Sequence, residues 1–261
     1  MRVADPTHVD RVLDAARASA FEPGEYVGQQ SFVTAGEVLW LARRAGIGPG
    51  VRVLDLCCGM AGPGLHIARE LGCDYVGVDA SPAAVARARE RAAAAGVPAR
   101  FDVATIPPLP PGPVDVALLL ETMLAFPDKR GLLEQVGASL PVGGRFAFTV
   151  EEGRPLTATE REGMPGADTV WLVPLDELWA ELDRAGLRVR LAHEVTAEHR
   201  ATVEALAEAY GSLAPRVLAE AAAAFGEDGV SDLLTTHRRW SRWLREGRVR
   251  KFAVVAQKVA G

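Results

Sequence analysis

Apolar and polar positions along this chain alternate between short apolar runs and longer segments with helical spacing. Runs of strand length stand at residues 51–56, 75–79, 99–103, 114–120, 145–150, 187–195 and 249–259. Several are apolar almost throughout, as strands buried on both faces are. Between them lie helical patterns. The first covers residues 6–19, with Asp5 as cap and Pro6 in the first turn, and Val9, Val12, Leu13 and Ala16 form its stripe. Others cover 35–44, a helix opening at Leu65, 82–95 closed by Gly96, 129–140 and 175–185. This strand–helix alternation predicts an α/β fold with one doubly wound, mostly parallel sheet.

One interval breaks the rhythm. About 50 residues separate the last two strands, far above an ordinary hairpin connection. Their spacing predicts three helices, 198–210, 215–225 and 231–244. Leu233, His237, Trp240 and Leu244 recur at helical intervals, either as the buried face of this insert or with His237 and Trp240 lining a pocket beneath it. The Gly- and Pro-bearing stretch 153–172 has no clear period and reads as a loop beside a site.

With 261 residues, 49% of them hydrophobic, the chain can bury a large core. A net charge of -5 argues against a nucleic-acid or anionic-membrane partner. The arginines at 238, 239, 242, 245, 248 and 250 with Lys251 read as a solvated helix face, with recognition of an acidic substrate as the alternative and RNA less favoured. No apolar run approaches a membrane span, and the first residues carry no secretory h-region, which points to the cytoplasm. Cys57, Cys58 and Cys73 lack metal-site spacing and read as reduced packing residues, and no metal site is expected.

The chemistry concentrates at Val53-Leu-Asp-Leu-Cys-Cys-Gly-Met-Ala-Gly-Pro-Gly64. A buried strand ends on Asp55, and Gly59, Gly62 and Gly64 follow. Glycines let a ligand approach the main chain, and the next helix aims its free N–H groups at that ligand. The spacing is not the dinucleotide fingerprint, and an acid before the glycines suits a cationic ligand better than a pyrophosphate. A second acid, Asp79, ends the next strand 24 positions later, placed to accept ribose hydroxyls.

Together these residues resemble motif I and the second-strand acid of the class I S-adenosylmethionine (SAM) dependent methyltransferases, in their small-molecule branch. Cys57 and Ala61 stand where the family usually has glycine. The turn Pro141-Val-Gly-Gly144 resembles the family's post-motif. The resemblance implies a Rossmann-like sheet of seven strands, the last antiparallel, and covers roughly residues 20–195 plus the final strand; the first N-terminal helix and the helical insert before the last strand come from the spacing alone. The chain then divides into an N-terminal helical flap (1–47), a SAM-binding domain (48–195 and 249–261) and a helical insert (196–248) that is either a lid or core. SAM is the implied cofactor and S-adenosylhomocysteine its product. Asp55, Gly59, Asp79, Ala80, Thr105 and Leu120 are the implied cofactor contacts in the sheet, Thr105 standing where the family usually has an acid. Tyr26 and Thr34, from the segment Tyr26-Val-Gly-Gln-Gln-Ser-Phe-Val-Thr34, fit the family's contacts to the methionine carboxylate. That segment reads equally as helix capping plus a surface loop.

The implied activity is methyl transfer to an N, O or C atom of a small metabolite or natural-product intermediate. Glu121, just past the fourth strand, is the first candidate to orient or deprotonate the acceptor, with Tyr26 second and His237 a remote third. A protein that keeps the fold but uses the cofactor structurally, or for a non-methyl reaction such as a cyclisation, is the alternative. Whether lids pair across a homodimer stays open.

Overall fold

The computed structural model describes residues 6–164, 166–225 and 227–260, with side chains described for all of these except 6–10, 216 and 223–233. Asp5, the expected cap, and the side chains of Val9 and Leu233 lie outside the described set.

The chain opens with helices α1 (Pro6–Ser19) and α2 (Ala35–Arg44). The sheet then begins: β1 (Arg52–Leu56), α3 (Gly62–Leu71), β2 (Asp74–Asp79), α4 (Pro82–Ala95), β3 (Ala99–Val103) and β4 (Val116–Leu119). Helix α5 (Lys129–Ser139), β5 (Arg145–Glu152), α6 (Ala158–Glu162), α7 (Leu175–Arg184) and β6 (Leu187–Glu194) follow. Three helices, α8 (Thr196–Gly211), α9 (Pro215–Phe225) and α10 (Glu227–Arg245), precede the final strand β7 (Arg250–Lys258).

Seven strands form one sheet in the order β3-β2-β1-β4-β5-β7-β6. β7 runs antiparallel to both neighbours and the remaining pairs are parallel. The central strands β1 and β4 are almost wholly buried, as their unbroken apolar runs require. Both edge strands alternate or face solvent, and β6 carries Arg188, Arg190 and Glu194 there. Charges on an edge discourage pairing with another sheet.

Helices α2, α3 and α4 cover one face through Leu41, Ile67 and Val85. Helices α5 and α7 cover the other through Leu132, Leu133, Leu178 and Leu182, packed on Phe146 and Phe148. A third apolar cluster joins the insert to the 153–172 stretch: Val203, Trp240, Trp243 and Leu244 pack with Leu156, Met164 and Leu172. The apolar stripe of α10 is therefore a buried face, and the same Trp240 also reaches a cavity wall.

Two details differ from the sequence expectation. The 153–172 stretch is not plain loop. Thr157 Oγ1 accepts from Glu160 N–H while Glu160 Oε2 accepts from Thr157 N–H, and this capping box starts the short helix α6. Helix α3 starts at Gly62 rather than Leu65, because Ala61 in a left-handed conformation (φ 57°) turns the chain directly into it.

Candidate active site

The order of strands reverses between β1 and β4, and their carboxyl ends diverge there, leaving the crevice where open α/β sheets bind ligands. A cavity of about 360 Å³ opens at this point. The turn Cys57–Pro63 forms its floor, Leu120–Thr122 and Leu124 one side, and Gly28–Phe32 with Trp240 its cover.

Among the described residues, three non-glycine residues have positive φ: Cys57 (60°), Ala61 (57°) and Glu121 (61°). All three line this cavity. A side chain in that region costs about 1–2 kcal/mol, so the surroundings must hold it. This explains on physical grounds why glycine suits the positions of Cys57 and Ala61. Cys57→Gly should therefore raise stability by about 0.5–1 kcal/mol. Denaturant melts check this, and a loss of stability would mean that the Cys57 side chain contributes packing exceeding the strain.

The glycine turn is built for close approach. A Cβ on Gly62 would lie 2.5 Å from Val27 O and 2.7 Å from the Gly28 carbonyl carbon, so the N-terminal segment rests on this helix start. A Cβ on Gly64 would meet the Tyr75 hydroxyl at 1.9 Å. That hydroxyl donates to Asp55 Oδ2 in the buried floor. Burial, together with the charge of Asp79, pushes Asp55 up to about 7 against the pull of the Tyr75 hydrogen bond.

The cover is held from four directions. Buried Gln29 bridges it internally: its Nε2 donates to Glu25 O (3.1 Å) and Val33 O (2.8 Å), and its Oε1 accepts from Val27 N–H (2.7 Å). Arg91 of α4 donates to Gly28 O (2.9 Å), and Arg17 of α1 donates to Ser31 O (3.3 Å). Phe32 sits edge-on between the rings of His199 and His237 from the insert.

Behind the cavity lies a buried ionic cluster. Lys251 stands directly across from Glu151 in the β5–β7 register, and its Nζ donates to Glu121 and to Glu151. Glu121 Oε1 also accepts from Thr149 Oγ1 (2.9 Å), and its Oε2 accepts from Phe32 N–H (3.4 Å). His199 Nδ1 lies 4.0 Å from Glu121 Oε2. Burial works against the charge on Glu121, but the Lys251 ammonium, with the hydrogen bonds from Lys251 and Thr149, holds its carboxyl below the usual range. Burial also opposes the Lys251 charge, and the two carboxylates still raise its affinity for the proton. Burial first, then the Glu121 charge, raises Glu151 despite Lys251. Burial, with Lys251 adding to it, takes His199 down to about 3, so its ring is neutral near pH 7. Glu121, Glu151 and His199 are close enough to share a metal ion, but the Lys251 ammonium already bridges the two carboxylates as their cation.

Of the residues singled out from sequence, the structure brings Asp55, Gly59, Leu120 and Glu121 to this cavity. Asp79 is one contact removed: its Oδ2 accepts from Gly59 N–H (2.9 Å) and its Oδ1 from Ser81 N–H (2.9 Å). Ala80 and Thr105 are exposed off the cavity wall. Thr34 caps α2, its Oγ1 accepting from Glu37 N–H (3.2 Å). Tyr26 donates to Asp14 of α1 and packs on Phe21, outside the cavity lining. Burial and Asp14 raise that hydroxyl above its ordinary range, so it keeps its own proton near neutral pH and is not available to take one from an acceptor. His237 packs among Phe32 and Tyr210.

Sequence reading missed Glu151, Thr149, Lys251 and His199. Two of them had a signal. Glu151 follows the apolar run 145–150 as Glu121 follows its own, and Lys251 interrupts an otherwise apolar strand.

A family model described as a methyltransferase domain matches residues 53–144. The chain is 32% identical over 188 residues to the 27-O-demethylrifamycin SV methyltransferase of Amycolatopsis mediterranei (strain S699), an alignment covering 67% of this chain and 69% of that one. In fold it is similar to the cyclopropane synthase MmaA2 from Mycobacterium tuberculosis, with a TM-score of 0.79 and 14% identity over 98% of this chain and 96% of that one. It is also similar to the [4+2]-cyclase SpnF, with a TM-score of 0.73 and 19% identity over 97% and 94% of the two chains. These two structural likenesses concern the fold.

Proposed function

This chain belongs to the class I SAM-dependent methyltransferases, and from that premise we propose that its cavity at the β1–β4 crevice transfers a methyl group to a small metabolite or natural-product intermediate. The observation that carries this reading is the strained, glycine-bearing wall, where Cys57, Ala61 and Glu121 hold left-handed conformations around one cavity.

The residues present fit the cofactor. A Cβ on Gly59 would meet nothing within 4 Å, so the main chain there is open to a ligand in the cavity, and the α3 N-terminus has no side-chain cap on its first N–H groups. Asp55 in the floor suits a cationic end, and its affinity for the proton would fall beside one. Asp79 would take the ribose hydroxyls, with Gly59 beside it. When bound, SAM supplies a methyl group on a sulfonium already activated for transfer. The protein then has to align the acceptor and keep water out, and Phe32, Leu124 and Trp240 do the latter.

The rifamycin relative's name points to an O-demethylated natural product as its acceptor, which supports a small-molecule acceptor here. A cavity of about 360 Å³ under a cover suits such a molecule better than a macromolecule. The net charge of -5 supports the absence of a nucleic-acid partner. No described helix is long and apolar enough to cross a membrane, and we place the enzyme in the cytoplasm. Helices α8–α10 act as the lid and residues up to 47 as the flap.

Calorimetric titration with S-adenosylhomocysteine, with NAD as control, tests the site, and an acceptor screen that includes 27-O-demethylrifamycin SV tests the substrate class. Asp79→Ala should weaken S-adenosylhomocysteine binding by about tenfold to a hundredfold, the loss of one or two charge-assisted hydrogen bonds, without lowering the melting temperature by much. Unchanged affinity would remove Asp79 from the ribose site.

A further inference from the structure

Two carboxylates end neighbouring strands at the same cavity, and their surroundings push them apart. Glu121 is saturated. Its oxygens accept from Thr149, Lys251 and the Phe32 N–H, and its own N–H donates to Thr149 Oγ1 at 2.6 Å. Glu151 is 3% exposed and lines the cavity. Lys251 holds its Oε1, while its Oε2 has no hydrogen-bond partner among the described residues. A buried carboxylate oxygen without a donor is costly and calls for one. The missing donor has to come from the cavity.

We propose that Glu151, rather than Glu121, accepts the proton of the methyl acceptor, and that the acceptor is therefore a hydroxyl. This rests on the reading of the cavity as the methyl-transfer site. An amine in its neutral form has a lone pair ready and needs no base, whereas a hydroxyl must lose its proton as its oxygen reacts. The acceptor O–H donates to Glu151 Oε2. As the new C–O bond forms, the O–H electron pair stays on the acceptor oxygen and the proton passes to Glu151. The C–S bond pair leaves with the sulfur. A sulfonium cation and a carboxylate thus become a neutral thioether and a neutral carboxylic acid, which returns its proton to solvent when the cover opens. Lys251 fixes the Oε1 side and so aims Oε2 at the acceptor. A carboxylate whose affinity for protons is raised accepts one more readily than a saturated one.

The charged and titratable groups around Glu151 are Lys251 on β7, Glu121 after β4, and Lys129 on α5, with His199 on α8 facing Glu121. Infrared difference titration of the S-adenosylhomocysteine complex separates their contributions. Beside the band of Asp55, itself raised, wild-type protein should show a second carboxyl C=O band, whose midpoint lies above that of an ordinary glutamate. This second band should vanish in Glu151→Gln. It should persist in Glu121→Gln with its midpoint lowered, because Lys251 then has one carboxylate left to neutralise. Saturating phenol, used as the hydroxyl probe, should shift the band in wild type and leave the Glu151→Gln spectrum unchanged. A band that survives Glu151→Gln and disappears in Glu121→Gln overturns the proposal, as does a band insensitive to phenol. Calorimetry on the same samples keeps the two readings apart. If wild type fails to bind S-adenosylhomocysteine, the cofactor-site reading fails. If all three proteins bind it equally while the band behaves otherwise than expected, the Glu151 assignment alone fails.

Discussion

Lys251→Met should destabilise the protein by about 3–5 kcal/mol near neutral pH, the usual consequence of removing one member of a buried ionic group. Lys251 is 1% exposed and is the cation between Glu121 and Glu151, themselves 7% and 3% exposed. Methionine fills a similar volume, so the loss reports charge more than packing. In a chain of this size the melting temperature should fall by roughly 10 °C. The pH dependence has a definite sign. Without Lys251, both carboxyls are raised in the folded state relative to the unfolded chain. Such groups stabilise the fold below their unfolded value near 4, and that contribution is lost as pH rises through the raised folded value. The deficit of Lys251→Met should therefore widen between pH 5 and pH 8, about the range in which buried carboxyls titrate. Denaturant melts across that range check it. A deficit below about 1 kcal/mol that stays flat with pH would show that water already screens the cluster.

Gly62→Ala should weaken S-adenosylhomocysteine binding by at least about tenfold while costing about 1–3 kcal/mol of stability, as overpacking does. The added Cβ would fall 2.5 Å from Val27 O, and no side-chain rotation relieves a clash with main chain. Segment 26–32 must move off the start of α3. It would carry with it Gly28, which Arg91 holds, and Phe32, which touches Glu121 and the two insert histidines. The cover of the cavity is thus the part that yields. Gly48→Ala is the control, since a Cβ there meets nothing within 4 Å. Calorimetry and melting of both variants decide the matter. A Gly62→Ala protein with wild-type affinity would separate the segment's placement from ligand binding.

The sheet was legible because β-strands buried on both faces leave continuous apolar runs, and because Gly96 and the residues before Pro82 mark helix ends by local chemistry. Elements built by such local rules lie within a few residues of their expected positions: α1 at Pro6–Ser19, α9 at Pro215–Phe225 and β3 at Ala99–Val103. The glycine turn and Asp55 were legible for the same reason, being contiguous in the chain. Glu121 was found by its place after an apolar strand. Its neighbours were not. Glu151 and Lys251 are 100 residues apart, and what joins them is the register of β5 against β7. The 50-residue insert between β6 and β7 hides that pairing from any local pattern.

Sequence by itself determined which segments become strands and helices, where the chain turns with glycine, and that an acid-tipped strand meets a helix N-terminus. Those outcomes follow from backbone sterics and from burial within a few residues of each position. Tertiary structure decided what each polar group is used for. Tyr26 and Thr34 carry the right chemistry for a ligand, but Asp14 and Glu37 take their hydroxyls first. Glu121 and Glu151 are the same residue type at equivalent strand ends. Thr149, Lys251 and the Phe32 N–H give both oxygens of one a donor, while the other, which lines the cavity, keeps a buried oxygen without a hydrogen-bond partner among the described residues. That division depends on distances among strands and helices far apart in the chain, because hydrogen bonds and Coulomb interactions in a buried site act over a few ångströms of space, whatever the separation in sequence.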